Sequence, residues 1–295
     1  MSSSHGALRR FVTAINGNRL VRAAKDARND LIDRRFRASG HEERDRFLGQ
    51  FKPKSGFVVF AIAFNTPWVV DLLTAAWGKY VTDADLVVVD NSKKPEARAR
   101  HRDICLRRNI AYCELPPNPE WNPNRSHAIS MNWIYYNLVR RIQPDLFGFV
   151  DHDCFPVAPV SPARWVEGKT VFGLRLKSLV DASCWYLWAG FCFFDFGKLK
   201  DRAFNFKHDY PLRMDTGGKN WQPVYSTLTA DQAGAAGEKR IEDDGLREHI
   251  LADTFNHIGS VSYRSDLRDD ERRRKLSEFM WDKYIGVDVP RIAQP

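Results

Sequence analysis

Two carboxylates stand one residue apart at the end of a short apolar run in the middle of the chain. Residues 147–150 read Phe-Gly-Phe-Val, and Asp151, His152 and Asp153 follow directly. The run predicts a buried parallel strand, and in extended backbone the side chains of Asp151 and Asp153 point to the same side. Converging carboxylates repel each other unless a cation lies between them, and Mg²⁺ or Mn²⁺ accepts such oxygen ligands. The spacing therefore predicts a divalent-cation site at the carboxyl end of a strand, where open α/β sheets bind ligands.

The same Asp-x-Asp spacing also occurs in solvated turns and in helix caps, where no metal is involved. In this chain the pair is followed by Cys-Phe-Pro-Val at residues 154–157. Apolar residues thus flank the carboxylates on both sides, and a solvated turn is seldom flanked in this way. The flanking residues favour the cation site over the turn.

The elements that must position these carboxylates alternate between strands and helices. Apolar runs predict strands at 57–64, 86–89, 110–115, 147–150, 170–176 and 185–196. Helical patterns lie at 67–80, at 95–108, from an N-cap at Ser126 to about 141, at about 243–253 and at 269–284. This alternation predicts an α/β fold with a doubly wound, mostly parallel sheet and helical extensions at both ends. We expect an extension over residues 1–54, a main domain over 55–265 and a helical tail over 266–295.

The net charge of +8 on 295 residues is concentrated near the N-terminus. Residues 1–54 hold 13 Lys and Arg against 6 Asp and Glu, a balance of +7 that leaves the rest near neutral. A near-neutral body excludes a general nucleic-acid-binding protein. Residues 1–50 combine basic and apolar residues, including Leu8, Phe11, Val12 and Ile15, at helical spacing. Such a helix either lies on anionic lipid or packs on the domain with its basic face in water.

The five cysteines are Cys105, Cys113, Cys154, Cys184 and Cys192, and each lies in or beside an apolar run. Their spacing shows no metal-binding or disulfide pattern, so we expect reduced core residues and a cytoplasmic protein. No apolar stretch approaches the roughly 20 residues that span a bilayer. Membrane contact, if any, is therefore expected to be peripheral, through residues 1–50 at the cytoplasmic face.

The order of polar motifs along these elements resembles that of GT-A fold nucleotide-sugar-dependent glycosyltransferases, in particular the family 2-like group. The resemblance covers residues 56–265 and rests on the following succession: Asn65, Asp90, Ser126-His127 with Asn132, Asp151-His152-Asp153, Trp188-Ala189-Gly190, Asp215-Thr216-Gly217-Gly218 and Asn256-His257. It implies a metal-dependent enzyme that moves a sugar from a nucleotide-diphosphate donor to a glycan or glycolipid acceptor. A UDP-sugar is one candidate donor, and Mn²⁺ or Mg²⁺ is the implied cofactor.

The resemblance also implies roles for individual residues. Asp153 matches the most direct metal ligand, His257 completes the metal shell, and Asp151 contacts the metal or the donor ribose. Asp90 matches the residue that bonds the nucleobase or ribose. The remaining residues implied in donor binding are Asn65, Arg125, His127, Asn132 and Arg264.

Asp215 matches the position of the catalytic base, which takes the proton of the acceptor hydroxyl. Trp188, Gly190, Gly217 and Gly218 are the implied acceptor-binding residues. Asp-Thr-Gly-Gly is also a common turn sequence, so a purely structural Asp215 remains an alternative.

Two other enzyme classes use carboxylates in a similar fold. A nucleotidyltransferase usually carries a basic, Gly-rich loop after its first strand, whereas Asn65-Thr66-Pro67-Trp68 has neither Gly nor Lys. An aspartyl phosphohydrolase places its Asp-x-Asp near the chain start, before a small hydroxyl residue. The nucleotidyltransferase is the stronger alternative because it shares the fold class.

Overall fold

The computed structural model describes residues 19–243 and 246–295 of the chain. Its strands are β1 Phe57–Ala63, β2 Asp85–Asp90, β3 Ala111–Glu114, β4 Leu146–Asp151, β5 Cys154–Pro156, β6 Val171–Lys177, β7 Trp185–Asp195, β8 Ala233–Ala235, β9 Glu238–Asp243, β10 Leu246–Leu251 and β11 Phe255–His257. Seven of them form the central sheet, in the order β3-β2-β1-β4-β7-β6-β8. Only β7 runs antiparallel to its neighbours in this sheet. The predicted α/β class with a mostly parallel sheet is confirmed.

The helices are α1 Arg19–Arg37, α2 His41–Gln50, α3 Pro67–Tyr80, α4 Pro95–Arg108, α5 Pro123–Ile134, α6 Ala163–Val166, α7 Phe196–Leu199 and α8 Asp270–Met280. Proline stands at the first turn of α3, α4 and α5, where its missing N–H costs nothing. The predicted N-cap at Ser126 is wrong, because α5 begins three residues earlier. Asn122 caps it instead, accepting a hydrogen bond from the Arg125 backbone N–H at 3.1 Å.

Both faces of the central sheet are buried, and helices cover each of them. On one face, β1 side chains such as Val59 and Ala61 pack with α3, α4 and α8. On the other, Val58 and Phe60 pack with α1, α2 and α5. Burial of every residue of β1 is what a parallel sheet between two helical layers requires. The sheet is therefore doubly wound, as predicted.

A second, antiparallel sheet has the order β5-β11-β10-β9. The predicted helix at about 243–253 is wrong, because these residues contribute to β9 and β10, which form a hairpin that continues into β11. The register pairs Asn256 with Phe155 and His257 with Cys154. Since Cys154 follows Asp153 directly, this pairing brings His257 next to the acidic end of β4.

The helical extensions are packed on the central domain. Phe36 of α1 and Phe47 of α2 are buried in one layer, and Leu276 and Met280 of α8 in the other. The division into segments 1–54, 55–265 and 266–295 stays a prediction. Residues 1–18, which include the apolar pattern from Leu8 to Ile15, lie outside the described residues.

The five cysteines are buried free thiols, as expected for core residues. Across residues 19–243 and 246–295, no helix combines the length and the apolar character needed to cross a membrane.

Candidate active site

A cavity of about 340 Å³ opens at the carboxyl ends of β1 and β4. This is the edge at which parallel α/β sheets bind ligands and at which the sequence places the site. Its lining brings together seven of the predicted site residues: His127, Asp151, Asp153, Trp188, Gly190, Asp215 and His257. These residues come from α5, the end of β4, β7, the loop before β8 and the end of β11.

Asp151, Asp153 and His257 form a compact group of ligand atoms within this cavity. One side-chain oxygen or nitrogen from each lies within 4.8 Å of the others. Asp153 is buried, and its Oδ1 lies 3.6 Å from Nε2 of His257. Its other oxygen accepts a hydrogen bond from the Val261 backbone N–H at 3.2 Å, which fixes the carboxylate orientation. Two carboxylates and one imidazole at this spacing suit a divalent cation.

The electrostatics of this group show why a cation would be favourable. Burial, followed by the charge of Asp153, raises the pKa of Asp151 to about 7. Burial also lowers the pKa of His127 and of His152 to about 4, so both imidazoles are neutral at pH 7. His127 Nε2 lies 3.7 Å from Asp151 Oδ1 and therefore brings no positive charge to it. The paired carboxylates thus carry a charge that these two histidines leave uncompensated.

Two residues of β7 complete the wall around the acidic group. Gly190 lies beside Asp151, because β7 pairs with β4 up to the contact of Phe191 with Val150. A Cβ at position 190 would lie 2.5 Å from Asp151 Oδ2, so only glycine leaves room for this carboxylate. The ring of Trp188 contacts the His257 ring, with centroids 4.6 Å apart. Trp188 and Gly190 therefore line the cavity, in line with their predicted positions.

Asp215 lines the same cavity and has His208 as its partner. His208 Nε2 lies 2.7 Å from Asp215 Oδ1, and the Asp215 side chain is 55% exposed. The hydrogen bond from His208 lowers the pKa of Asp215, so this carboxylate is ionised at neutral pH. Asp215 thus combines an ionised, accessible carboxylate with a defined orientation.

The predicted acceptor glycines, Gly217 and Gly218, shape the turn that carries Asp215 and do not line the cavity. Gly217 has a left-handed φ of 93°, and its N–H donates to Phe206 O at 2.7 Å. A Cβ on Gly218 would lie 2.6 Å from that of Met214. Their role in this structure is conformational.

Asp90 and Asn132 are buried and do not line the cavity, so their contact with the donor stays a prediction. Asp90 is fully buried and hydrogen-bonds His101 Nδ1 and Tyr112 Oη, both at 2.9 Å. The Asn132 amide donates to Asp33 at 2.9 Å and accepts from the Phe206 backbone N–H at 2.8 Å. Both side chains form hydrogen bonds with other buried polar groups, which need such partners. The order of motifs in the sequence does not reveal these contacts.

Asn65, Arg125 and Arg264 also lie outside the cavity lining, and their role in donor binding stays a prediction. Asn65 has a left-handed φ of 53°, and its side-chain oxygen accepts hydrogen bonds from the backbone N–H groups of Lys93 and Lys94, in the loop after β2. Arg125 binds Glu120 at 2.8 Å, and Arg264 binds Asp266 through two nitrogens, at 3.1 and 2.7 Å. The Arg125 and Arg264 guanidinium groups each pair with a carboxylate of the protein, although Nε of Arg125 is buried without a hydrogen-bond partner among the described residues.

The cavity also contains residues that the sequence analysis did not select. Phe64 and Tyr263 stack with their ring centroids 5.9 Å apart, and Asn91 lies in the same lining. His152 Nε2 contacts Thr66 Oγ1 at 2.9 Å and Ser262 Oγ at 3.3 Å. His152 could have been found from its position between the two aspartates, whereas the distant Tyr263 carries no local signal.

Solved structures that resemble the chain are glycosyltransferases. A fragment of S. aureus TarS in complex with UDP-GlcNAc matches 80% of this chain and 68% of its own, at 13% identity and a TM-score of 0.42. The mannosyltransferase PcManGT from Pyrobaculum calidifontis was solved in complex with GDP-Man and Mn²⁺. The match covers 60% of this chain and 56% of PcManGT, at 11% identity and a TM-score of 0.35. The match with the bifunctional glycosyltransferase WbbM covers 50% of this chain and 33% of WbbM, at 13% identity and a TM-score of 0.36.

The chain spans about a third of the length of WbbM, 33%, and of a second S. aureus TarS structure, 30%. No protein-family model matches the chain, and no curated protein matches it. Because all three TM-scores lie below 0.5, the functional proposal rests on the chain's own residues.

Proposed function

We propose that the chain is a divalent-metal-dependent glycosyltransferase, which moves a sugar from a nucleotide-diphosphate donor to a glycan or glycolipid hydroxyl. One observation carries this proposal. The ligand group Asp151, Asp153 and His257 shares a single cavity with the ionised carboxylate of Asp215. A cation on the ligand group would offset the charge that develops on a departing diphosphate. The mixture of carboxylates and an imidazole favours Mn²⁺ over Mg²⁺, which prefers oxygen ligands.

In this proposal the donor nucleoside binds beside Phe64 and Tyr263. These two rings line the cavity, and Tyr263 is 51% exposed, so a nucleobase can stack on it. The neutral His127 imidazole can exchange hydrogen bonds with the donor sugar without adding charge to the site. A UDP-sugar is the first donor to test.

In this proposal Asp215 acts as the general base for the acceptor. Its ionised carboxylate can accept the proton of an acceptor hydroxyl while that oxygen attacks the anomeric carbon of the donor. His208 holds the carboxylate at 2.7 Å and would stabilise its orientation throughout this step. Trp188 lines the cavity and offers an aromatic ring against which a sugar ring can pack.

A peripheral membrane contact through α1, at the cytoplasmic face, is a further part of this proposal. The acidic residues Asp26 and Asp30 turn towards Lys219 and Lys207 of the main domain. Four basic residues of α1 are exposed to solvent, one of which, Arg28, also lies 3.9 Å from Glu120, and Leu31 is 48% exposed. The exposed basic residues are Lys25, Arg28, Arg34 and Arg35. This sorting of charge fits an anionic lipid surface.

Release of a nucleoside diphosphate from a panel of nucleotide sugars tests the proposed activity. We expect one donor to yield its diphosphate only with Mn²⁺ or Mg²⁺, faster with glycan acceptors, and not with Asp153→Asn. A nucleotidyltransferase would instead release pyrophosphate from a nucleoside triphosphate and a sugar phosphate. That product, or no metal-dependent release from any nucleotide sugar, would contradict the proposal.

A further inference from the structure

A chain of side-chain contacts leads from the ligand group to the second sheet. The register of β10 and β11 places His249 directly opposite His257 on the same face. Their Nδ1 atoms lie 3.4 Å apart. His249 Nε2 in turn lies 2.7 Å from Glu238 Oε2 on β9. Neither His249 nor Glu238 lines the cavity, and the proposed reaction uses neither of them.

The contacts permit one arrangement of protons when His257 binds a cation. Nε2 of His257 faces Asp153, so this nitrogen must offer its lone pair and Nδ1 must carry the proton. His257 Nδ1–H then donates to a bare Nδ1 on His249, whose own proton sits on Nε2. That proton is donated to Glu238, which accepts it because an ionised carboxylate has no proton to give.

The reverse arrangement is unfavourable for the same reason. If His249 donated from Nδ1 as a neutral imidazole, its bare Nε2 would face the Glu238 carboxylate at 2.7 Å, lone pair against lone pair. The proton of His257 would then lie on Nε2, where a cation could not bind. The carboxylate of Glu238 thus sets the direction of both hydrogen bonds.

We propose that Glu238 and His249 are positioning residues, which hold His257 in the tautomer and orientation that leave Nε2 free for the cation. The packing of His257 supports this role, since the Trp188 ring contacts the His257 ring, with centroids 4.6 Å apart. With its ring held in place, His257 depends on His249 for the partner of Nδ1. Groups that orient a metal-binding histidine commonly account for about 10- to 100-fold in metal affinity. The proposal rests on the metal site of the proposed function.

Calorimetry of Mn²⁺ binding to the purified full chain, without donor or acceptor, tests it. His249→Phe keeps the ring size but removes both nitrogens, and we expect about tenfold weaker Mn²⁺ binding. His249→Asn places an amide oxygen near the lost Nδ1, so it should recover most of that affinity. His41→Phe, the same change at an exposed histidine of α2, is the matched control and should bind Mn²⁺ like wild type.

A second readout follows the tautomer itself. In Mg²⁺-loaded wild-type protein, ring nitrogen shifts should show His257 protonated on Nδ1, and His249→Phe should lose this single state. Wild-type affinity and an unchanged His257 tautomer in His249→Phe would overturn the positioning role. If Asp153→Asn nevertheless abolished Mn²⁺ binding, the proposed metal site would still stand and only the positioning role would be lost. Absence of Mn²⁺ binding to wild-type protein would overturn both proposals.

Discussion

Gly190 and Asp151 approach each other so closely that a single methyl group on Gly190 would lie 2.5 Å from the Asp151 carboxylate. The same methyl group would lie 2.4 Å from the Trp188 ring, so the space beside β7 is filled from two directions. Trp188 in turn packs on His257. Because Gly190 has no Cβ, the Asp151 carboxylate and the Trp188 ring can both lie next to it.

Gly190→Ala tests this packing. The added methyl must displace Asp151 or Trp188, and we expect a loss of about 1–3 kcal/mol in unfolding free energy from overpacking. Displacement of the carboxylate should also weaken Mn²⁺ binding about tenfold. Gly237→Ala is the control, because a Cβ there meets no atom within 4 Å. Unchanged Mn²⁺ affinity in a folded Gly190→Ala protein would show that the contact is unimportant.

Asp215→Asn tests the base. Asn keeps the shape of the turn but cannot take a proton, so turnover should fall by about 10²- to 10⁴-fold. Binding of the donor and of Mn²⁺ should stay close to wild type. Asp195→Asn serves as the control, since Asp195 caps α7 at the far end of β7, where Asn also caps well. Turnover within a few-fold of wild type would leave Asp215 with the role of a turn residue.

Metal binding should depend on pH through Asp151. Because its pKa is raised to about 7, a proton competes with the cation below pH 7. We expect Mn²⁺ affinity to fall roughly tenfold per pH unit below 7 and to level off above it. The same shift stabilises the metal-free fold at low pH, a contribution that is lost as the pH rises through 7.

The measurement is calorimetry between pH 5.5 and 8 in buffers of different ionisation enthalpy, which also counts released protons. Asp151→Asn has no titrating group at this position, so its weaker binding should lack this pH dependence. A wild-type affinity that does not change between pH 5.5 and 8 would contradict the expected coupling.

The exposed side of α1 should bind anionic vesicles. Each basic residue near such a surface contributes about 1 kcal/mol, so Lys25→Glu, Arg28→Glu and Arg35→Glu together should abolish co-sedimentation with phosphatidylglycerol vesicles. Binding by wild type should weaken steeply with salt. Lys239→Glu, Arg272→Glu and Lys275→Glu carry the same charge change elsewhere. Equal pelleting of the two triple variants would contradict a contact through α1.

The sequence predicted the central sheet well because its strands are continuous apolar runs. The run at residues 147–150 identified β4, and the strand-end rule then located Asp151 and Asp153. The sequence-based prediction was wrong at β10, where a helix was expected. Its residues Leu246–Leu251 mix charged and apolar types that also suit a helix. Pairing with β9 and β11 decides that strand, and such distant contacts are not visible in a local pattern.

The roles of polar residues were harder to predict than the strands. Asp90 and Asn132 stand where a ligand contact is expected, yet each is used by buried partners far away in sequence. His208 and His249 contact the predicted residues Asp215 and His257 only through tertiary folding. Residue type and spacing therefore identify candidates, and the completed fold decides which of them reach the cavity.

Binding of nucleoside diphosphates with and without Mn²⁺ tests the central claim most directly. UDP, GDP, ADP and CDP are titrated by calorimetry into wild-type protein and into Asp153→Asn, whose amide oxygen can still accept from Val261. Asp266→Asn, at a half-buried ion pair outside the cavity, serves as the control. We predict that wild type and the control bind one diphosphate only with Mn²⁺ and that Asp153→Asn, although folded, does not bind it. Equal binding with and without Mn²⁺, or unchanged binding by Asp153→Asn, would contradict a metal-dependent donor site.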